Sequence, residues 1–218
     1  MSAVAKYKKK DVDEREAKGA ETRARITAAV WRLMADEGLA GLTVRKVGEV
    51  AGISHAMVHY HFDDKDELVR SVVPHARHYW IGPMRDLVDG EGSALERLER
   101  VIAWMAEPAT SDVMRVHREL LAQCEWDAEL RQLMAAEYAT WRSMYIELFR
   151  AIDAEGCRLP GTDTELIGTG FSELADHLVG KQALDPTIDA GAVMREMIRP
   201  FLLVASPIAP TPDQTAAG

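Results

Sequence analysis

The side chains of this 218-residue chain that could do chemistry are clustered. Five of the seven histidines lie between residues 55 and 78. His55 and His59 share a helix face at i, i+4, and His75 and His78 do so at i, i+3. Neither pair has a cysteine or carboxylate at a spacing typical of structural zinc, so no metal is expected. Cys124 and Cys157, the two cysteines, form no CxxC pair and read as reduced, buried thiols. No nucleophile elbow, HExxH or P-loop is written anywhere, and Gly168-Thr-Gly170-Phe-Ser-Glu173 lacks the third glycine of a dinucleotide fingerprint. No cofactor and no catalytic residue are expected. What remains is a run of hydroxyls, cations and rings: Thr43, Arg45 and Lys46, then Ser54, His55, Ala56, Met57, His59, Tyr60 and His61, with Lys65 beyond. Such a mixture suits recognition better than bond breaking.

The elements that must position these residues are helices. Apolar spacing of the helical kind recurs along the chain, and no stretch alternates as a strand would. The first helix spans about 21–37, with Ile26, Ala29, Val30, Leu33 and Met34 on one stripe and Gly38 to end it. Thr43 caps a short second helix that Gly52 stops, and Ser54 caps a third that runs to about Phe62. Asp64 with Glu67 reads as a capping box for a fourth, continuing through Trp80 and broken at Pro83. Later helices are expected at about 93–106, 112–125, 127–155, 163–184 and 189–204, nine in all. Helix, brief turn, helix across Thr43 to Phe62 is the arrangement that presents its second helix to the DNA major groove. If Val58 and Phe62 are the buried pair, the helical step puts Ala56 and Tyr60 outward, flanked by Met57 and His59. A face so poor in Lys and Glu is one meant to be covered.

Composition supports this division of labour. Apolar residues make up 47% and charged residues 28%, and the formal net charge is −9, which argues against coating nucleic acid by bulk attraction. The charge is uneven: residues 1–73 balance at +1, whereas residues 74–218 carry −10. No apolar run approaches the roughly 20 residues of a membrane span, and the basic, then charged, start lacks the apolar region of a signal peptide, so a cytoplasmic home is expected. Four domains follow: a basic flexible arm over 1–20, a helix-turn-helix domain over 21–68, a helical domain over 69–205 and a flexible Pro-rich tail over 206–218.

Gly41-Leu-Thr-Val-Arg-Lys-Val-Gly-Glu-Val-Ala-Gly-Ile-Ser54, followed by Val58-His-Tyr-His-Phe-Asp-Asp-Lys-Asp-Glu-Leu68, resembles the tetracycline-repressor (TetR) family of bacterial regulators. The resemblance implies an all-α, homodimeric, ligand-responsive repressor that binds palindromic double-stranded operator DNA, with an effector cavity and a dimer interface in the C-terminal domain. Carried onto this chain, Thr43 is the phosphate contact at a helix N-terminus. Arg45 is the best base reader, because a guanidinium reaches guanine O6 and N7 together. Lys46 and Lys65 neutralise the backbone. The third helix departs from the family pattern, which has Gly or Pro, a hydroxyl residue, an aliphatic and Tyr where this chain has Ala56, Met57, Val58 and His59. Met57 can meet a thymine methyl, and His59 still bonds phosphate, more strongly when protonated.

In the second portion, Trp80, Met84, Trp104, Met105, His117, Trp141, Tyr145, Phe171 and His177 are candidates for an effector pocket with an adaptable apolar lining. Taken singly, each reads at least as well as core. Leu166, Gly170, Leu174 and Leu178, joined by Ile167, form a ridge on the penultimate helix, and Val193 and Met197 lie on a stripe of the last. The resemblance implies that two such helices from each of two chains make a four-helix interface, whereas periodicity alone fits packing within one chain equally well. Two other classes compete: a protein-interaction module using the exposed third helix, and an enzyme with His117 or His177 as base.

Overall fold

The computed structural model describes residues 3–107, 110–157, 161 and 163–204, and the side chains of 3–13, 110–111 and 201–204 lie outside that description. The tail over 206–218 lies outside it as well. Among the described residues the chain is all helix, in the order α1 (Ala3–Gly41), α2 (Val44–Ala51), α3 (His55–His61), α4 (Lys65–Ala76), α5 (Ile81–Val88), α6 (Ala94–Met105), α7 (Thr110–Gln123), α8 (Ala128–Ala154), α9 (Thr164–Gln182) and α10 (Ala190–Val204).

Two boundaries and one cap differ from expectation. α1 begins at Ala3, so the stretch expected as a flexible arm is helical; its run of Ala, Lys, Glu and Arg contains no strong breaker, and those residues favour a helix. α4 ends at Ala76 rather than Trp80, and α5 follows, a helix that reading Pro83 as a stop had hidden. Pro83 is the third residue of α5, in the first turn, where the missing N–H has no intrahelical partner to lose. The expected box at Asp64 is half formed. Asp64 accepts from the Glu67 N–H at 2.7 Å, but Glu67 reaches back to the Asp63 N–H at 2.8 Å. The other caps match their residues: Thr43, Ser54, Asp127 and Asp163 each accept from a backbone N–H of the turn that follows. Gly38 breaks α1 with φ 70°.

The chain divides into two compact units. The first holds residues up to 83 together with 108–139. In it α1 packs on α2, α4 and α7. Ile26, Val30, Leu33 and Met34 form the buried stripe of α1 and share one core with Val47, Val58, Phe62, Leu68, Val72, Val116 and Leu120. Three polar contacts fasten the short helices to α1. Arg25 Nη2 donates to the Ala51 carbonyl at 2.7 Å, closing the C-terminus of α2. Arg23 donates to the His61 carbonyl at the end of α3 and, at 2.6 Å, to the Glu67 carboxylate of α4. Its guanidinium also lies 4.0 Å from the Phe62 ring centre, a cation–π contact.

The second unit holds residues 84–107 and 140–218. α10 packs on α6 and α9, and Gln182 accepts from the Ala190 N–H at 2.8 Å, satisfying the first turn of α10. Gly168 lets α9 approach α8 closely: a Cβ there would sit 2.8 Å from Ile146 Cα. The obstacle is backbone, which cannot rotate away.

Gly168→Ala should therefore lower stability by about 1–3 kcal/mol, an overpacking cost, read as an earlier thermal transition. Gly19→Ala in α1, where a Cβ meets nothing within 4 Å, should be neutral or stabilising. Equal behaviour of the two variants would contradict the packing described. Glu67 makes a second test. The Arg23 hydrogen bond, and then that from the Asp63 N–H, hold its carboxyl below the ordinary 4.5. A folded-state value below the unfolded one contributes stability that is complete above the unfolded value and is lost as pH falls through the folded one. Glu67→Gln should melt earlier at neutral pH yet lose less on acidification below 4.5; parallel acid profiles would sink the assignment.

Candidate nucleic-acid interface

Seven residues are too few to make a stable helix alone, so α3 is held by its ends and one face. Gly52, at φ 66°, adopts the left-handed conformation that an L side chain rarely takes, and Ile53 N–H reaches back to the Gly48 carbonyl at 3.0 Å. This closes α2 and turns the chain into α3. Ser54 accepts from the Met57 N–H at 3.3 Å. Val58 and Phe62 are buried at 1% and 2% exposure. The opposite face is open: Ala56, Met57, His59 and Tyr60 are all exposed, Tyr60 at 79%. No carboxylate occurs in α3. The outward surface is two imidazoles, a phenol, a thioether and a methyl.

The expected DNA cations do not hang free. Arg45, 84% exposed, donates through Nε to Glu49 at 2.9 Å along α2. Lys46 is bonded to Glu37 of α1. Lys65, first residue of α4, donates to the Leu39 carbonyl at 3.0 Å. Each is an exposed contact worth at most about 1 kcal/mol, so an incoming phosphate or guanine can displace it. Thr43 is exposed at the start of α2, its hydroxyl oxygen 3.3 Å from the Lys46 N–H. His61 is half-buried, its carbonyl held by Arg23. Sequence reasoning missed Arg23, Arg25, Glu37 and Glu49. Glu49, one turn after Arg45, was visible as an i, i+4 pair; the others join positions that only the fold brings together.

The expected pocket residues divide between the units. In the first, His117 is buried, its Nε2 2.7 Å from the Tyr138 hydroxyl, with half-buried Trp80 edge-on at 5.3 Å. In the second, half-buried Trp104 and Trp141 lie 6.2 Å apart, and Trp141 meets Tyr145 at 5.9 Å. Tyr145 is fully buried, packs on Phe171 at 5.4 Å and donates to Met105 Sδ at 2.7 Å. Burial pushes its phenol well above the ordinary range, so it stays a neutral donor. Met84 is fully buried, and His177 is exposed. Of the ridge on α9, Leu166 is 70% exposed and Gly170 exposed, while Ile167, Leu174 and Leu178 are half-buried; on α10, Val193 and Met197 are 41% and 47% exposed. No helix among the described residues is long and apolar enough to cross a membrane.

Residues 26–72 match the family model described as bacterial regulatory proteins, tetR family. The chain is 23% identical over 183 residues, 80% of its length and 85% of the relative's, to the HTH-type transcriptional regulator BetI of Rhizobium meliloti (strain 1021). It is 22% identical over 153 residues, 68% of its length and 73% of the other's, to the HTH-type transcriptional repressor KstR2 of Mycolicibacterium smegmatis. Among solved structures, it superposes on a TetR-family regulator from Rhodococcus sp. with TM-score 0.68 and 25% identity, covering 86% of this chain and all of the other. It superposes on a regulator from Saccharomonospora viridis, in complex with choline, with TM-score 0.72 and 23% identity over 84% and 96% of the two chains. The matched segment contains the helix-turn-helix built above, so residues 26–72 form a DNA-binding segment of the kind found in bacterial regulatory proteins of the tetR family.

Proposed function

We propose that this chain is a tetR-family transcriptional regulator that represses by binding a palindromic operator as a homodimer, with α3 of each subunit in the major groove, and that a small effector held in its second unit releases it. The observation that carries the reading is the open face of α3: exposed Met57, His59 and Tyr60 on a helix without a carboxylate, braced from behind by Val58 and Phe62. Thr43 and Ser54, whose oxygens already cap α2 and α3, keep O–H groups to donate to phosphate. His55 and His61 flank the reading face. Arg45 exchanges Glu49 for a guanine edge, and Lys46 and Lys65 exchange Glu37 and the Leu39 carbonyl for phosphates.

The second half of the reading rests on two features of the second unit. The apolar ridge of α9 and α10 is exposed at Leu166, Val193 and Met197 and half-buried at Ile167, Leu174 and Leu178, and it suits burial against its copy, which sets two reading heads on one duplex. Half-buried Trp104 and Trp141 lie side by side, with Trp141 edge-on to Tyr145. Such rings take apolar, aromatic or onium-bearing molecules. The choline held by the Saccharomonospora viridis regulator is of that last kind. An effector acts on DNA only through a difference in its affinity for the two arrangements of the heads.

Gel retardation with duplexes from the DNA flanking its own gene tests the first half. A specific duplex should be bound in a salt-sensitive way. Arg45→Ala should cost about 1–3 kcal/mol on that duplex and little on unrelated DNA. Lys46→Ala should weaken both and reduce the salt slope by about one. An Arg45→Ala loss equal on both duplexes would remove it as a base reader. For the dimer, sedimentation should give twice the 24.2 kDa chain, falling to one chain in the double variant Leu166→Glu, Met197→Glu; a wild-type monomer contradicts the interface.

A further inference from the structure

On the exposed side of α3, the imidazoles of His55 and His59 converge. Their Nε2 atoms lie 3.1 Å apart, with ring centres separated by 4.5 Å and planes at 77°. A hydrogen bond between two imidazole nitrogens pairs one N–H with one lone pair. Both side chains are exposed, and the helical turn between them fixes their spacing. Replacing the shared proton with a divalent ion makes a chelate. Zinc bonds histidine nitrogen at about 2.0–2.1 Å, and two such bonds reach across the gap at an angle of about 100°, near tetrahedral. Neither ring needs to move by more than a fraction of an ångström.

We propose that His55 and His59 form a two-histidine site for a borderline divalent transition-metal ion, and that the bound ion competes with DNA for α3. Imidazole nitrogen is a ligand matched to Zn²⁺, Ni²⁺ and Cu²⁺. Among the described residues no group of three or more His, Cys, Asp and Glu side chains is positioned to hold an ion, so water completes the coordination. The site is accordingly weaker than a structural zinc site and exchangeable. Its position gives it an effect. An ion held by both Nε2 atoms occupies the ring nitrogens that would otherwise donate N–H groups to DNA, and its waters stand on the surface that must enter the groove.

The second histidine pair shows why the first is distinctive. His75 packs its ring against Trp31 and Tyr79, its Nε2 is buried without a hydrogen-bond partner, and the His78 ring centre lies 6.3 Å away. That pair does not converge.

Calorimetric titration of the full chain with ZnCl₂ at about pH 7.5, where imidazoles are mainly neutral, tests the site without DNA. One Zn²⁺ per chain should bind in the micromolar range. Loss of even an outer partner typically costs 10–100-fold in metal affinity, so His55→Gln and His59→Gln should each cost at least about tenfold, with His78→Gln unchanged. No uptake of zinc, or uptake that persists in the double His55→Gln, His59→Gln variant, overturns the site. The competition rests on the DNA-binding reading and is measured separately, as the affinity for the retarded duplex with and without ZnCl₂. Zinc should weaken wild-type binding at least about tenfold, with recovery on adding EDTA, and should leave the residual affinity of His59→Gln unchanged. Zinc uptake with unchanged or tighter DNA binding overturns the competition.

Discussion

A helix of two turns does not hold itself together in water, because nucleation costs more than so few hydrogen bonds return. Everything this chain does with α3 therefore depends on burying Val58 and Phe62 in the core built on α1. That burial is worth roughly 1.5–3 kcal/mol for each side chain. It also decides orientation, since it fixes which five residues of α3 face outward. Arg23 adds direction to an otherwise undirected attraction. By bonding the last carbonyl of α3, the carboxylate of Glu67 and the face of Phe62, it ties three short elements to one long one.

The same economy shapes the charges. A DNA-binding surface of unpaired cations would repel itself, whereas here Arg45, Lys46 and Lys65 rest on Glu49, Glu37 and the Leu39 carbonyl. Exposed pairs of this kind hold little free energy. They keep the side chains in one region and give them up easily. A net charge of −9 for the whole chain does not favour bulk attraction to a polyanion, and on the proposed reading discrimination rests on the contacts that replace these pairs.

Much of this was legible in the sequence, and what was hidden had a physical reason. The caps at Thr43, Ser54, Asp127 and Asp163 and the stop at Gly52 are local: each depends on a side chain or a φ value within four residues. The apolar stripe of α1 is periodic and equally readable. Pro83 misled because a proline ends a helix or opens one according to which side the helix lies, and one residue does not say which. The α1 extension was hidden because Lys-rich sequence serves a solvated helix and a solvated coil alike. Glu67 was assigned to the right helix end and the wrong N–H, a difference of one residue that depends on Arg23 drawing the carboxylate across. The association of α7 and the first part of α8 with the helix-turn-helix unit is a matter of tertiary packing, which periodicity does not encode.

The histidines mark the boundary between composition and geometry. Counting residues, His55 with His59 and His75 with His78 are equivalent pairs on helix faces, and neither completes a zinc motif. In space they diverge: one pair brings its Nε2 atoms to 3.1 Å on an exposed face, while the other loses one ring to edge-on contacts with Trp31 and Tyr79. The difference follows from where each helix is buried. α3 exposes all but one face, so its imidazoles are free to meet each other, whereas α4 turns its last residues into α1. An exposed imidazole nitrogen can donate an N–H to a phosphate or give a lone pair to a cation, but not both at once. On the proposed reading, nucleic acid and borderline metal ions therefore compete for one set of side chains on a helix with no carboxylate.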